Sequence, residues 1–184
     1  PRRARAFPDN SVLHVLNRGN ERRRLFADEQ EYAQFLWILD RARRCVPLDL
    51  YGYVLMPNHW HLVVRPEVDG EMGRFGQWLG LTHTRRHHAH YDTSGDGHLY
   101  QGRFKSFPVQ DNDHFIAVCR YVERNAFTAG LATDPTNGGS EFVAMGPRGG
   151  DGQVPVEPLA DTSARPWIDF VAAPLSEKEQ LRMK

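Results

Sequence analysis

The sequence predicts an α+β fold with the element order β-α-β-β-α-β, which is that of a ferredoxin-like sheet, followed by a further helix. Two observations lead to this prediction. Two β-rich runs, 50–56 and 60–65, flank a Pro57-Asn58 turn and are typical of paired strands. Apolar residues recur at helical spacing over 28–44 and 71–91. At 184 residues the chain can form one domain with its own core and an extension.

The N-terminal part predicts a strand and then a helix. Residues 11–18 are β-rich, and Gly19-Asn20 then turns the chain into a basic loop, for which a solvated turn is the alternative. Asp28 is a suitable N-cap for a helix to about residue 44, with arginines in its last turns, where they interact favourably with the helix dipole. Val46-Pro47 ends this helix.

The second half predicts two more helices around an extended segment. The helix over 71–91 ends in a run of histidines and arginines, and a flexible loop follows at 92–97. Residues 97–106 form an extended basic and aromatic segment, for which a plain amphipathic strand is the alternative. A third helix is predicted over 111–125, capped by Asp111. Composition becomes rich in proline and glycine beyond about residue 132, which predicts a mostly irregular tail.

The strand after the Pro57-Asn58 turn carries His59 and His61. Side chains alternate along a strand, so both imidazoles should lie on one face and Trp60 on the other. Two such imidazoles can hold one divalent metal ion, although ordinary surface histidines on an edge strand are the alternative. His14 is predicted to be a packing residue.

A second histidine group, formed by His87, His88 and His90, ends the predicted second helix. On a helix His87 and His90 share a face, while His88 points about 100° away from His87. A DNA-backbone or solvent-facing role is therefore favoured over a metal site.

Formal net charge is zero, but positive charge is unevenly placed. Residues 1–130 hold 18 Lys and Arg against 15 Asp and Glu, and most of this excess is clustered arginine, which suits phosphate contact. No apolar run is long enough for a membrane span, the basic N-terminus lacks the apolar core of a secretory signal, and two cysteines are too few for a disulfide framework. A cytoplasmic location is expected.

Four sequence segments resemble one known family. The segment Tyr-Val-Leu-Met-Pro-Asn-His-Trp-His-Leu-Val-Val, residues 53–64, resembles the HUH motif (His, bulky hydrophobic, His) of single-tyrosine transposases. Residues 14–26 resemble the family's opening block, and 97–106 its Gly-x-Leu-aromatic-Gln-Gly-Arg-Phe-Lys-Ser block. Residues 120–125 resemble its nucleophile helix. The closest resemblance is to the REP-associated tyrosine transposases (RAYT).

The resemblance implies a function and a set of site residues. Tyr121 would attack DNA and form a 5′-phosphotyrosine, while His59, His61 and Asn125, four residues after Tyr121, would hold Mg²⁺ or Mn²⁺. The partner would be single-stranded DNA with imperfect palindromic hairpins, bound by a monomer or a dimer. The expected DNA-binding residues are Arg18, Arg22, Arg23, Arg24, Arg85, Arg86, Arg103 and Lys105. The transposase domain would cover residues 1–131, and residues 132–184 would form a tail that can dock on it.

The chain also departs from the family pattern. Ala126, Phe127 and Thr128 stand where Pro, Val and Arg are usual, which removes a helix-ending proline and a basic residue. Two alternatives to the tyrosine nuclease remain open. One is a domesticated, non-catalytic binder of palindromic hairpin DNA, and the other is a metal-dependent hydrolase that uses water as its nucleophile.

Overall fold

The computed structural model describes residues 11–68, 70–110, 112–128 and 143–145. The elements are β1 (Leu13–Arg18), α1 (Glu29–Cys45), β2 (Leu48–Met56), β3 (His59–Pro66), α2 (Glu71–Tyr91), β4 (Lys105–Pro108), α3 (Asn112–Thr128) and β5 (Val143–Met145). The strands form one antiparallel sheet in the order β4-β1-β3-β2-β5. The predicted α+β fold and its ferredoxin-like element order are confirmed. The short β5 lies in the segment predicted as a tail and pairs with β2.

Helices cover both faces of the sheet. On one face, α1 and α2 pack over the larger apolar cluster, which includes Phe35, Phe75 and Trp60. On the other face, α3 packs over a smaller cluster that includes Val63 and Val122. Alternation along β3 separates the two clusters, because neighbouring side chains of a strand point to opposite faces. A central strand buried on both sides is held rigidly, which suits it to carry a site.

The helix ends follow from local sequence. The Asp28 side chain accepts a hydrogen bond from the Glu31 amide at 3.0 Å and so caps α1, as predicted. The bounds of α2 are those predicted, and Asp92 follows it in the left-handed region with φ of 51°. The third helix continues three residues beyond its predicted end at Asn125. Ala126 allows this because alanine, unlike proline, donates the next helical hydrogen bond.

A buried hydrogen-bond chain connects β3 to α2. Trp60 Nε1 donates to the Tyr100 hydroxyl at 3.0 Å, and this hydroxyl in turn contacts His83 Nδ1 at 2.7 Å. Burial, with a smaller contribution from nearby His87, lowers the pKa of His83 to about 3, so the ring is neutral and can accept the hydroxyl proton. Within the described part of the chain, no helix is long and apolar enough to span a membrane.

We expect Tyr100→Phe to destabilise the domain. The change removes the hydroxyl and leaves Trp60 Nε1 and His83 Nδ1 buried without their partner, at about 1–3 kcal/mol for each group. The free energy of unfolding, measured by urea denaturation, would show the loss. Tyr91→Phe is the control, because Tyr91 is exposed on the surface of α2. Equal unfolding free energies for the two variants would contradict this account of the hydrogen-bond chain.

Two glycines of α2 should respond oppositely to alanine. A Cβ on Gly76 would overlap the ring of Phe104, whereas a Cβ on Gly80 would meet no atom within 4 Å. We expect Gly76→Ala to lower the free energy of unfolding by about 1–3 kcal/mol through overpacking. Gly80→Ala should raise it by up to about 1 kcal/mol, because alanine favours helix. Stabilisation by both changes would show that α2 does not pack against Phe104 in this way.

Candidate active site

The strand β3 presents His59 and His61 on the face of the sheet covered by α3. Their ring centroids are 5.1 Å apart, while Trp60 between them is buried in the opposite cluster. This is the arrangement predicted from strand alternation. In the antiparallel register His59 stands opposite Arg18 of β1, and His61 stands opposite Leu16. The pair therefore lies on a central strand and not on the edge strand of the alternative interpretation.

The neighbouring strand β1 adds a third imidazole. His14 Nε2 lies 2.9 Å from His61 Nδ1, and both side chains are buried. The rings are 5.1 Å apart between centroids with planes inclined by 16°. The sequence predicts only packing for His14, since its position beside His61 depends on the register of β1 against β3. The only sequence feature that could have indicated this contact is the presence of a histidine in the first predicted strand.

The turn before β3 contacts the side chain of His59. His59 Nδ1 lies 2.7 Å from Asn58 Oδ1. The basic loop wraps this turn: the Gly19 amide donates to the Asn58 carbonyl at 2.9 Å, and the Asn58 side-chain amide donates to the Arg22 carbonyl at 3.4 Å. Within the loop, Glu21 and Arg22 both have left-handed backbone angles, with φ of 52° and 61°. The loop and the histidine pair are thus parts of one local structure.

The helix α3 brings Tyr121 to the histidines. Its ring meets His61 edge-on at 5.7 Å between centroids and His14 at 6.0 Å. Val118 and Val122 bury the sheet-facing side of α3, and Tyr121 packs partly buried against the same cluster. Asn125 follows on the same helix, but its side chain lies outside the described residues.

Electrostatics keep the histidine pair neutral. Burial, aided by the charge of Arg18, lowers the pKa of His59 to about 4. Burial also holds the pKa of His61 well below its ordinary value, with further contributions from His14, His59 and Arg18. The pKa of His14 is lowered to about 4 by burial and by His114. Neutral imidazole is the form that ligates a metal ion.

The donor set fits part of a metal site. Two neutral imidazoles on one strand suit a divalent transition metal ion such as Mn²⁺. In the ranges that the structure describes, no group of three or more His, Cys, Asp or Glu residues could hold a metal ion by itself. A complete site would need a further ligand, such as the predicted amide of Asn125 or an oxygen of the substrate.

Most of the predicted DNA-binding residues lie near the end of the sheet at which β3 begins with His59. Arg18 ends β1 opposite His59, and the loop of Arg22, Arg23 and Arg24 wraps the Pro57-Asn58 turn. The segment with Arg103 and Lys105 runs beside β1, where the Gln101 amide donates to the Arg18 carbonyl at 2.9 Å.

The remaining basic candidates lie on α2, in the helical layer over the opposite face. There Arg86 stacks 4.7 Å from the ring centroid of Trp37, and Arg85 is exposed. The histidines that end α2 each have local contacts. His87 packs on Tyr91, His88 Nδ1 lies 2.8 Å from Thr93 Oγ1, and His90 faces Glu31 at 4.0 Å.

Comparisons with known proteins agree with the fold and with the sequence motifs. The family model described as IS200-like transposase matches residues 9–125. A REP-associated tyrosine transposase bound to a REP hairpin has a similar structure, with a TM-score of 0.58 and 17% sequence identity. The match covers 74% of this chain and 78% of that chain. A putative transposase from Deinococcus radiodurans R1 has a TM-score of 0.48 and 15% identity, over 71% of this chain and 98% of that chain. No curated protein matches.

The family match covers more than half of the chain and includes β1, the histidine pair and Tyr121. The similarity to the REP-associated transposase concerns the fold, which is the one predicted from the resemblance. The chain belongs to the IS200-like transposase family and has the fold of a REP-associated tyrosine transposase.

Proposed function

We propose that this protein is a metal-dependent endonuclease and strand transferase for single-stranded or hairpin DNA, with Tyr121 as its nucleophile. One observation supports this most strongly: α3 brings the Tyr121 ring to within 5.7 Å of His61, although the two residues belong to separate sequence blocks. Membership of a transposase family supports a role in DNA cleavage and joining.

The proposed reaction is a transesterification. The Tyr121 oxygen attacks the scissile phosphorus, an O–P bond forms, and the bond from phosphorus to the 3′ oxygen breaks. The tyrosine proton passes to a base, and the departing 3′ oxygen takes up one proton, from that base or from water, to become a 3′-hydroxyl. The product is a 5′-phosphotyrosine, which keeps the phosphoester bond. A second 3′-hydroxyl can therefore reverse the step and join strands without ATP.

The chain's own residues would prepare the phosphate for attack. His59 and His61, with Asn125 as the proposed third ligand, would hold Mg²⁺ or Mn²⁺. The bound ion would draw negative charge from a non-bridging phosphate oxygen. Because the histidine side chains are neutral and partly or fully buried, they can bind it without first releasing a proton.

The proposed DNA surface is the basic rim around this site. Arg18 stands across from His59. The arginines of the basic loop (Arg22, Arg23 and Arg24), with Arg103 and Lys105, lie nearby. Exposed arginines beside a phosphate-binding centre suit single-stranded DNA, whose backbone they neutralise. The structurally similar REP-associated transposase is bound to a REP hairpin, which supports hairpin DNA as the partner here. Residues 1–131 would form the nuclease domain, and residues 132–184 its tail.

We expect Tyr121→Phe to abolish cleavage of a labelled hairpin DNA in the presence of Mn²⁺ while binding stays within a few fold. The change removes only the attacking oxygen. A denaturing gel would report cleavage and the covalent protein–DNA band, and a filter assay would report binding. Tyr51→Phe is the matched control, because Tyr51 also packs against α3, 5.4 Å from the ring centroid of Phe115.

The outcomes of this experiment separate the three functions. A covalent band that the Tyr51 variant retains and the Tyr121 variant loses supports the tyrosine nuclease. Cleavage without any covalent band would indicate water as the nucleophile. Hairpin binding without cleavage, on a substrate that an active relative cuts, would indicate a domesticated binder.

The position of the basic residues predicts unequal losses of DNA affinity. Arg18→Gln should weaken binding of single-stranded DNA and lower the slope of log affinity against log salt by about 0.7, the value for one phosphate contact. Arg86→Gln should have a smaller effect, because its guanidinium stacks on Trp37 in the opposite helical layer. Affinities measured at several salt concentrations would test this. A larger loss for Arg86 would move the DNA surface to the helical layer.

A further inference from the structure

Each histidine of the candidate site already has one ring nitrogen engaged by the protein. His59 Nδ1 contacts Asn58 Oδ1 at 2.7 Å, and His61 Nδ1 contacts His14 Nε2 at 2.9 Å. The engaged atom is Nδ1 in both rings. Nε2 is therefore the nitrogen that each ring retains for a bound group.

The contact with Asn58 fixes the direction of one hydrogen bond. A carboxamide oxygen accepts and cannot donate, so the proton lies on His59 Nδ1 and the lone pair on Nε2. Asn58 is itself held in place, because its backbone carbonyl accepts from the Gly19 amide and its side-chain amide donates to the Arg22 carbonyl. The basic loop thus supports the orientation of His59 through one intermediate residue.

The contact with His14 admits two directions, and only one of them suits a ligand. If His14 donates, the neutral His61 ring carries its proton on Nε2 and has no lone pair there for a metal ion. If His61 donates from Nδ1, its Nε2 is free, as in His59. The two nitrogens are 2.9 Å apart, the ring centroids are 5.1 Å apart, and the ring planes differ by 16°. With these values the rings must meet edge to edge. This geometry favours a well-aligned hydrogen bond.

We propose that His14 and Asn58 are positioning residues: each accepts the Nδ1 proton of one imidazole, of His61 and His59 respectively, and so leaves the Nε2 lone pair of that ring available to a metal ion. The metal part of this proposal rests on the proposed function. An acceptor behind a ligating histidine fixes its tautomer and ring orientation and raises its basicity. Here the two acceptors differ, an imidazole from a neighbouring strand and a carboxamide from the adjacent turn.

The tautomers can be measured in the metal-free protein. Two-bond ¹H–¹⁵N correlation spectra distinguish a protonated from an unprotonated ring nitrogen, and His59→Gln and His61→Gln variants assign the signals. We expect both rings to be protonated on Nδ1. In His14→Phe, which keeps a planar ring but removes the acceptor, His61 should move towards the Nε2-protonated form. A wild-type His61 that is protonated on Nε2, or a His14→Phe spectrum without change, would overturn the proposal for His14.

Metal affinity supplies the second readout. Titration calorimetry with Mn²⁺ alone should show that His14→Phe binds about 10–100-fold more weakly than the wild type. His14→Gln should recover most of this loss, because its amide oxygen can occupy the position of the imidazole Nε2. For Asn58, the matched pair is Asn58→Leu, which removes the acceptor, and Asn58→Asp, which keeps it. Equal affinities within either pair would overturn the role of that residue.

A control separates these effects from loss of stability. His83→Asn alters another buried histidine, whose hydrogen bond to Tyr100 lies in the opposite core. It should leave the His61 tautomer and the Mn²⁺ affinity unchanged, even if thermal unfolding shifts. Failure of the wild type to bind Mn²⁺ would overturn the metal site of the proposed function, while the metal-free spectra would still decide whether His14 and Asn58 fix the two tautomers.

Discussion

The alternation of side chains along β3 is the constraint on which the rest of the structure depends. Trp60 is buried with the helices α1 and α2, so His59 and His61 must point to the other face. A shift of the strand by one residue would bury the imidazoles in the larger apolar cluster and move the indole to the face that α3 covers. Such a shift would also break the hydrogen bond from Trp60 to the Tyr100 hydroxyl, which in turn contacts His83.

The two faces of the sheet have different tasks. One face forms the larger core, in which the Tyr100 hydroxyl links Trp60 and His83. The other face has fewer apolar side chains. There Tyr121 of α3 contacts His14 and His61 of the sheet. Central strands hold the side chains that they carry within a narrow range of positions. The loop that wraps the Pro57-Asn58 turn ties the basic rim to the same strand.

Local patterns were sufficient to predict most of the fold. The cap at Asp28, the bounds of α2 and the common face of His59 and His61 all follow from neighbouring residues. The contact between His14 and His61 does not, because it depends on the register of two strands that are distant in sequence. The contact of Arg86 with Trp37 likewise depends on how two distant helices pack, and the role of Arg86 in DNA binding stays a prediction. The further run of α3 past Asn125 reflects the missing proline.

The covalent intermediate offers the most direct test of the central claim that Tyr121 and the histidine pair form one catalytic centre. The wild-type protein would be incubated with a hairpin DNA and Mn²⁺, digested with protease and nuclease, and analysed by tandem mass spectrometry. We expect a nucleotide linked through its 5′-phosphate to the peptide that contains Tyr121, and no such product in His61→Ala. A nucleotide on a different tyrosine, or cleaved DNA with no modified tyrosine, would contradict it.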